Sequence, residues 1–368
     1  MSRQPFVDLA AQYREIRGEL LPQVERLLAA GTFIGGEPLT SFESAFAAFC
    51  GVPHAVGVAN GTDALHLALR ALGVGPGDDV LTVPNTFVAT VEAIEQAGAR
   101  PVLVDVRPDT LLMDVASLDG AVTPRTRAVV PVHLYGALVD IEPIERWCAS
   151  RGLLLLEDAA QAHGALRAGR HAGAFGDAAG FSFYPAKNLG AAGEAGAVVT
   201  RRADVAERVA RLRDHGQSER YHHEMVGYNS RLDALQAAVL GVKLRRLPEW
   251  NARRRALAGI YRERLAKLDG VEVVTPPADP ESHVYHLFVI RVPERDRLRA
   301  ALTARGIDTG LHYPVPIHLQ RGWTHLGYGA SDFPAAEAAA RTVLSLPIYP
   351  QMSDAAVHRV CDAIETCR

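Results

Sequence analysis

Cysteine is scarce in this 368-residue chain. The four cysteines, at positions 50, 148, 361 and 367, show no CxxC and no metal-ligand spacing. That speaks against a disulfide framework or a zinc cluster, and a reducing, cytoplasmic setting is expected. A dominant charge is missing too. With 39 Lys and Arg against 42 Asp and Glu the net charge is -3, so no basic field draws in nucleic acid. No apolar run approaches the roughly 20 residues that span a bilayer. The opening MSRQPFVDLAAQYREI lacks the apolar centre of a signal peptide. There is no internal repeat, no low-complexity linker and no GxGxxG, whose absence weakens a dinucleotide reading.

What is present is an alternation of short apolar runs with amphipathic stretches. After an N-terminal arm and a helix to about residue 30, "HAVGVAN", "DDVLTVP", "PVLVDV", "RAVVPVHLYG" and "LLLLEDAA" read as strands. "GTDALHLALRAL", "FVATVEAIEQAG" and "IEPIERWCASRG" read as helices between them. Continuous apolar strands covered on both faces imply an α/β fold with a mostly parallel sheet in a three-layer arrangement. Length alone favours two domains. Helical segments over about 201–270 lead from a large domain, 1–248, into a smaller α+β domain, 249–368. The smaller one has the strand "SHVYHLFVIRV", the helix "ERDRLRAALTARG" and a closing helix near 353–367.

Ligands of parallel α/β sheets sit at the carboxyl ends of the strands, and three such ends carry chemistry. At Asn60-Gly61-Thr62-Asp63 a helix begins. Gly61 permits a tight turn, Thr62 and Asp63 can cap, and the free N–H groups suit a phosphate, although a plain N-cap has the same signature. At "LLLLEDAAQAHGA" a carboxylate, Asp158, leaves a very apolar strand. It either caps a following helix or meets a cation such as a ring nitrogen. Gln161 lies within reach of the same ligand, and His163 has no partners that would make a triad. At "FSFYPAKNLGAAGEAGAVVT" the backbone is stripped to small residues around Lys187, with Ser182 and Tyr184 before it. A lysine in so apolar a setting has a lowered pKa and can serve as nucleophile or base.

Together, a phosphate cradle, an acid for a pyridinium nitrogen and an amine for a Schiff base are what pyridoxal 5'-phosphate requires. Phe87, in "PNTFVAT" after another strand, can stack on its ring.

The blocks "GTFIGGEPLTSFESAFAAFCG", "NGTDALHLAL", "PNTFVAT", "EDAAQAHGA", "FSFYPAKNLGAAGEAGAVVT", "HHEMVGYNSRLDALQAAVL" and "GLHYPVPIHLQ" resemble the DegT/DnrJ/EryC1/StrS family of nucleotide-sugar aminotransferases, nearly end to end. The resemblance implies the fold type I of PLP-dependent transferases. It also implies Lys187 as the Schiff-base lysine, Asp158 on the pyridine nitrogen, Gln161 near the ring hydroxyl and Phe87 stacked on the ring. Gly61, Thr62 and Ser182 would cradle the phosphate, which Asn229 would reach from the neighbouring subunit of a homodimer. Tyr184, Arg231, His312 and Tyr313 fall in blocks that approach the nucleotide sugar; an ion pair for Arg231 and packing for the other two are the plain alternatives. No metal is implied.

The implied reaction takes the amino group of L-glutamate through the pyridoxamine form to a nucleoside-diphosphate-linked keto hexose. The wording "FYPAKNLG" resembles members that aminate C3, whereas "H-x-TK" marks the C4 branch. A lysine at 187, where some relatives have histidine, argues against a dehydratase. One departure stands out: "GEAGAV" in place of the family's "GDGGAV" puts Glu194 and Ala195 in the loop, and Ala195 replaces a glycine where a positive φ would need one. Amination at C4, a PLP-binding regulator without turnover, and a nicotinamide-dependent oxidoreductase are the rival readings.

Overall fold

A computed structural model describes residues 3–367. Seven strands form one sheet in the order His54–Val58, Gly196–Thr200, Ala178–Ser182, Leu154–Asp158, Thr126–Val129, Asp79–Thr82, Arg100–Leu103. The last five run parallel, and Gly196–Thr200 is antiparallel to both of its neighbours. The mostly parallel reading therefore holds, with one reversed strand near an edge.

Strand alternation separates the two faces. Val80, Ala128, Leu156 and Val198 enter one core, packed against the helices Gly61–Ala71 and Ala203–Leu212. Leu81, Val129, Leu155 and Val199 enter another, with Phe42 and Phe46 of the helix Glu37–Cys50 and Ile141 and Ile144 of Ile141–Arg151. Both faces are covered, which is why the strands read as unbroken apolar runs.

A second, antiparallel sheet has the order Glu272–Val273, Phe288–Arg291, Val343–Leu346. Its own core joins Phe288, Ile290, Leu344 and Leu346 to Leu257 and Tyr261 of the helix Leu247–Leu265, to Leu298 and Leu302 of Arg295–Ala304, and to Val357 and Val360 of Asp354–Cys367. Cys50, Cys148 and Cys361 are buried free thiols. Among the described residues no helix is long and apolar enough to cross a membrane.

Two expected strands are shorter than their sequence pattern. "RAVVPVHLYG" is a regular strand only over Thr126–Val129; Val132 adds an isolated parallel bridge to Asp158 before a 3-10 turn at Leu134–Gly136. "SHVYHLFVIRV" joins its sheet only from Phe288; His283 makes an isolated antiparallel bridge to Ala137, and Tyr285, with a left-handed φ of 45°, breaks the run between them. The helix expected from "FVATVEAIEQAG" begins at Ala89 and leaves Phe87 in the preceding turn.

Candidate active site

The carboxyl ends of the parallel strands open into one cavity of about 760 Å³. Its walls include Gly61, Thr62, Phe87, Asp158, Gln161, Ser182, Tyr184, Lys187, His312 and Tyr313, so ten of the twelve expected site residues meet in one place. Asn229 and Arg231 lie outside it within this chain. Arg231 Nη1 donates to Asp214 Oδ1 at 2.9 Å, and exposed Asn229 bridges to the Asp214 backbone.

At the first strand end the cap differs from expectation. Asn60, extended at φ -165°, accepts the Asp63 amide on its Oδ1 at 2.9 Å, so neither Thr62 nor Asp63 is the N-cap. Thr62 sits in the first turn, and Asp63 accepts a 2.6 Å bond from the Ser230 hydroxyl. The first-turn amides of Gly61 and Thr62 have no intrahelical partner by helix geometry. Gly61 lies against Ser182 so closely that an added Cβ would stand 2.5 Å from the serine Cβ. The chain thus brings unpaired amides and a hydroxyl to one spot at a positive helix end, which is an anion cradle.

At the second strand end, period-two alternation sends two neighbouring carboxylates in opposite directions. Glu157 is fully buried, receives the amides of Gly173, Phe175 and Gly176, and meets His133 Nε2 at 3.0 Å. The Val139 amide donates to His133 Nδ1, so the ring proton is on Nε2 and points at Glu157. Burial raises the Glu157 carboxyl, but His133 and the amides outweigh it and hold the value low.

Asp158 faces the cavity at 5% exposure. No helix follows it. Its Oδ1 takes the Ala160 amide in a turn, and Thr90 Oγ1 donates to its Oδ2 at 2.7 Å. Burial pushes this carboxyl up, against Thr90, Ala160 and the charge of Lys187. A buried carboxylate with so few partners asks for a cation.

Lys187 stands on a loop fixed at many points. Its amide donates to the Tyr184 carbonyl at 2.8 Å. Asn188 Nδ2 bonds Asn251 Oδ1 and the Val284 carbonyl, both at 2.9 Å, and buried Lys243 holds the Gly190 carbonyl at 2.6 Å. Burial pushes the Lys187 amine down to about 8, although Asp158 pulls it upward. The same burial lowers His163, His286 and His312, each further disfavoured as a cation by Lys187. His163 packs between Phe181 and Phe183 at 5.3 and 5.6 Å and is fully buried.

Gln161 accepts the Tyr135 amide at 2.6 Å and points its Nε2 at the Tyr313 hydroxyl, 3.4 Å away. Tyr135 donates to the His312 carbonyl at 2.6 Å, and His312 Nδ1 contacts the Ser345 hydroxyl at 2.8 Å. Phe87 is 52% exposed and tilts at 37° to Tyr313, 5.8 Å between ring centres. It is a large apolar face turned to the cavity.

The loop departure is mild. Ala195 is buried and is not among the residues with positive φ, and its carbonyl accepts the Phe183 amide at 2.8 Å. The glycine conformation expected there is not used. Glu194 is exposed on the cavity wall.

These residues fit pyridoxal phosphate. The Gly61 and Ser182 cradle suits its phosphate, buried Asp158 its ring nitrogen, Phe87 its ring face and the depressed amine of Lys187 its aldehyde. Sequence reading missed Thr90, Arg254 and His286 on the cavity or its acid. Thr90 and Arg254 come from helices and His286 from the bend before Phe288–Arg291, and the local pattern of each reads as ordinary packing.

A family model described as DegT/DnrJ/EryC1/StrS aminotransferase family matches residues 14–365. The chain is 48% identical over 364 residues to a dTDP-3-amino-3,4,6-trideoxy-alpha-D-glucose transaminase of Streptomyces venezuelae, covering 98% of this chain and 95% of that one. It is 43% identical to a Geobacillus stearothermophilus protein named pleiotropic regulatory protein, over 95% of this chain and 94% of the relative. Among solved structures, S. venezuelae DesV in complex with a ketimine intermediate superposes with a TM-score of 0.97 at 46% identity, covering 100% of this chain and 98% of that one.

Proposed function

The chain belongs to the DegT/DnrJ/EryC1/StrS aminotransferase family, and from that premise we propose that it moves the amino group of L-glutamate to the C3 keto carbon of a nucleoside-diphosphate-linked keto deoxyhexose, working as a homodimer. The carrying observation is the single cavity that gathers Lys187, Asp158, Phe87, Gln161, Ser182, Gly61 and Thr62. Amination at C3 is supported by the name of the Streptomyces relative and by the Tyr184-Pro185-Ala186-Lys187 wording.

Pyridoxal phosphate, when bound, supplies an electron-accepting ring that stabilises negative charge at the donor Cα. Gly61, Thr62 and Ser182 would hold the phosphate, and Asn229 would reach it from the neighbouring subunit. Phe87 covers one ring face and excludes water from it. Asp158, whose charged form Thr90 and the Ala160 amide favour against the burial that pushes it up, would hold a proton on the ring nitrogen. Gln161 orients the ring hydroxyl. Lys187 is the covalent anchor. Its Nζ, pushed down to about 8 by burial, is the amine that would carry the proton lost from the donor Cα while the cofactor is bound. Tyr184, Arg231, His312 and Tyr313 approach the nucleotide sugar.

Assay with glutamate against matched 3-keto and 4-keto nucleotide sugars tests the assignment. Turnover of the 3-keto sugars is expected, and exclusive turnover of 4-keto sugars would overturn C3. The name of the Geobacillus relative favours a second reading, a cofactor-binding regulator without turnover. The visible absorbance of the loaded protein then stays unchanged when L-glutamate is added, whereas a transaminase bleaches.

A further inference from the structure

Arg254 is a cation without a counter-charge on the wall of this cavity. It is 4% exposed and lines the same space as Lys187, along a stretch built by Phe6, Val7, His286 and Ile348. It lies on the helix Leu247–Leu265, one turn after Asn251, the residue that ties down Asn188 of the lysine loop. Its Nη1 donates to the carbonyls of Tyr285 at 3.1 Å and Ile348 at 2.9 Å. Its Nε is buried with no hydrogen-bond partner, and so is Nδ1 of neighbouring His286.

A buried guanidinium is costly unless an anion completes it. Two backbone carbonyls supply dipoles and no charge. Burial accordingly pushes Arg254 down to about 9 with no carboxylate opposing it, and the guanidinium remains a cation at neutral pH. The other charged groups on the wall are committed or distant in role. Asp63 accepts from Ser230, Asp158 accepts from Thr90 and faces Lys187, and Glu194 is exposed. The phosphate cradle at Gly61, Thr62 and Ser182 is made by different elements. The anion that would complete Arg254 is therefore a second one, small enough to reach the interior of the cavity. A planar fork of N–H donors matches a carboxylate better than any other common group.

We propose that Arg254, with His286 beside it, is the subsite that reads a carboxylate of the amino donor, an α-amino dicarboxylic acid. This rests on the transaminase reading above and adds to it the residue that selects the donor. Arg254 also supports the backbone at Tyr285 and Ile348, so a test must separate recognition from support.

The probe is glutarate, a dicarboxylate without an amino group, titrated calorimetrically into the cofactor-loaded wild type and into Arg254→Gln and Arg254→Lys. Stopped-flow traces then follow two half-reactions separately, one with L-glutamate and one with the amino sugar. Arg254→Gln should weaken glutarate binding and lower the glutamate half-reaction at limiting substrate by at least about thirtyfold, because a desolvated charge pair is lost. Arg254→Lys should recover part of both, and the amino-sugar half-reaction should change less than about twofold in either variant. If Arg254→Gln does not fold, the split is read on Arg254→Lys, with a loss of about tenfold expected on the glutamate side only. Wild type that binds no glutarate, variants that bind it unchanged, or two half-reactions that slow together would each overturn the subsite. Failure of the transaminase reading looks different: wild type would react with neither glutamate nor amino sugar.

Discussion

Thr90 Oγ1 lies 2.7 Å from Asp158 Oδ2, so the first turn of one helix supplies a hydroxyl donor to the acid that ends a strand 68 residues later. Thr90 is itself held by the Thr86 hydroxyl at 2.8 Å. A hydrogen bond to a charged group contributes about 1.5–3 kcal/mol. Thr90→Val removes it while keeping the shape, leaving burial to push Asp158 further toward its neutral form. Steady-state kcat should fall roughly ten- to a hundredfold, and Thr90→Ser should keep most of the activity. Equal activity of the valine and serine variants would show that the bond does not maintain the charge of Asp158.

The depressed amine of Lys187 predicts a pH profile that needs no turnover. The chain has three lysines, at 187, 243 and 267. An amine reacts only as the free base. Labelling of Lys187 by trinitrobenzenesulfonate in cofactor-free protein should therefore rise tenfold per pH unit up to about 8 and level off above it. An ordinary lysine keeps rising toward about 10.4. Peptide mapping separates the sites, and a Lys187 profile still climbing at pH 9.5 would contradict the burial argument. In the loaded enzyme, Lys187→Ala should lower turnover at least about a thousandfold, with unchanged circular dichroism.

What was legible in the sequence was local. Asp158 stood out because a carboxylate at the end of an apolar strand is costly, and Lys187 because its loop is built of small residues. Phe87 stood out from its turn. The position of Glu157 against His133 follows from strand period once the strand is placed. Thr90, His286 and Arg254 are illegible because their roles depend on contacts about thirty or more residues away in the chain, while their surroundings look like a helix face or a strand interior. The N-cap was misplaced among three residues that can all cap, and only the extended backbone of Asn60 distinguishes it. The regular strands near Pro131 and Tyr285 are shorter than their apolar runs, because the composition continues where the backbone turns and only isolated bridges remain.

Gly61 and Ser182 form a pair that can be tested by exchange. An alanine Cβ at 61 would stand 2.5 Å from the Ser182 Cβ and 3.1 Å from its Oγ. Gly61→Ala should force the two strand ends apart and weaken cofactor retention by at least about tenfold, as read by dialysis against buffer. Ser182→Gly alone should weaken it modestly by removing a hydroxyl. In the double variant the 2.5 Å clash is gone and the nearest of these atoms is the residue-182 Cα at 3.1 Å, so the loss should be smaller than the two single losses added together. Strict additivity would mean that the close approach does not shape the cradle.

Ala195 gives the last prediction, in the opposite direction. The glycine found in relatives' wording suggested a loop that needs left-handed backbone, yet Ala195 avoids positive φ and its methyl is fully buried. Returning glycine there adds conformational freedom to the unfolded chain and removes a packed methyl. Each effect costs about 0.5–1 kcal/mol. Ala195→Gly should therefore lower Tm by a few degrees at most for a chain of this size, with kcat within about twofold of wild type. A severalfold gain in kcat would show that the alanine deforms the lysine loop, in spite of the Phe183 to Ala195 backbone bond that holds it in register.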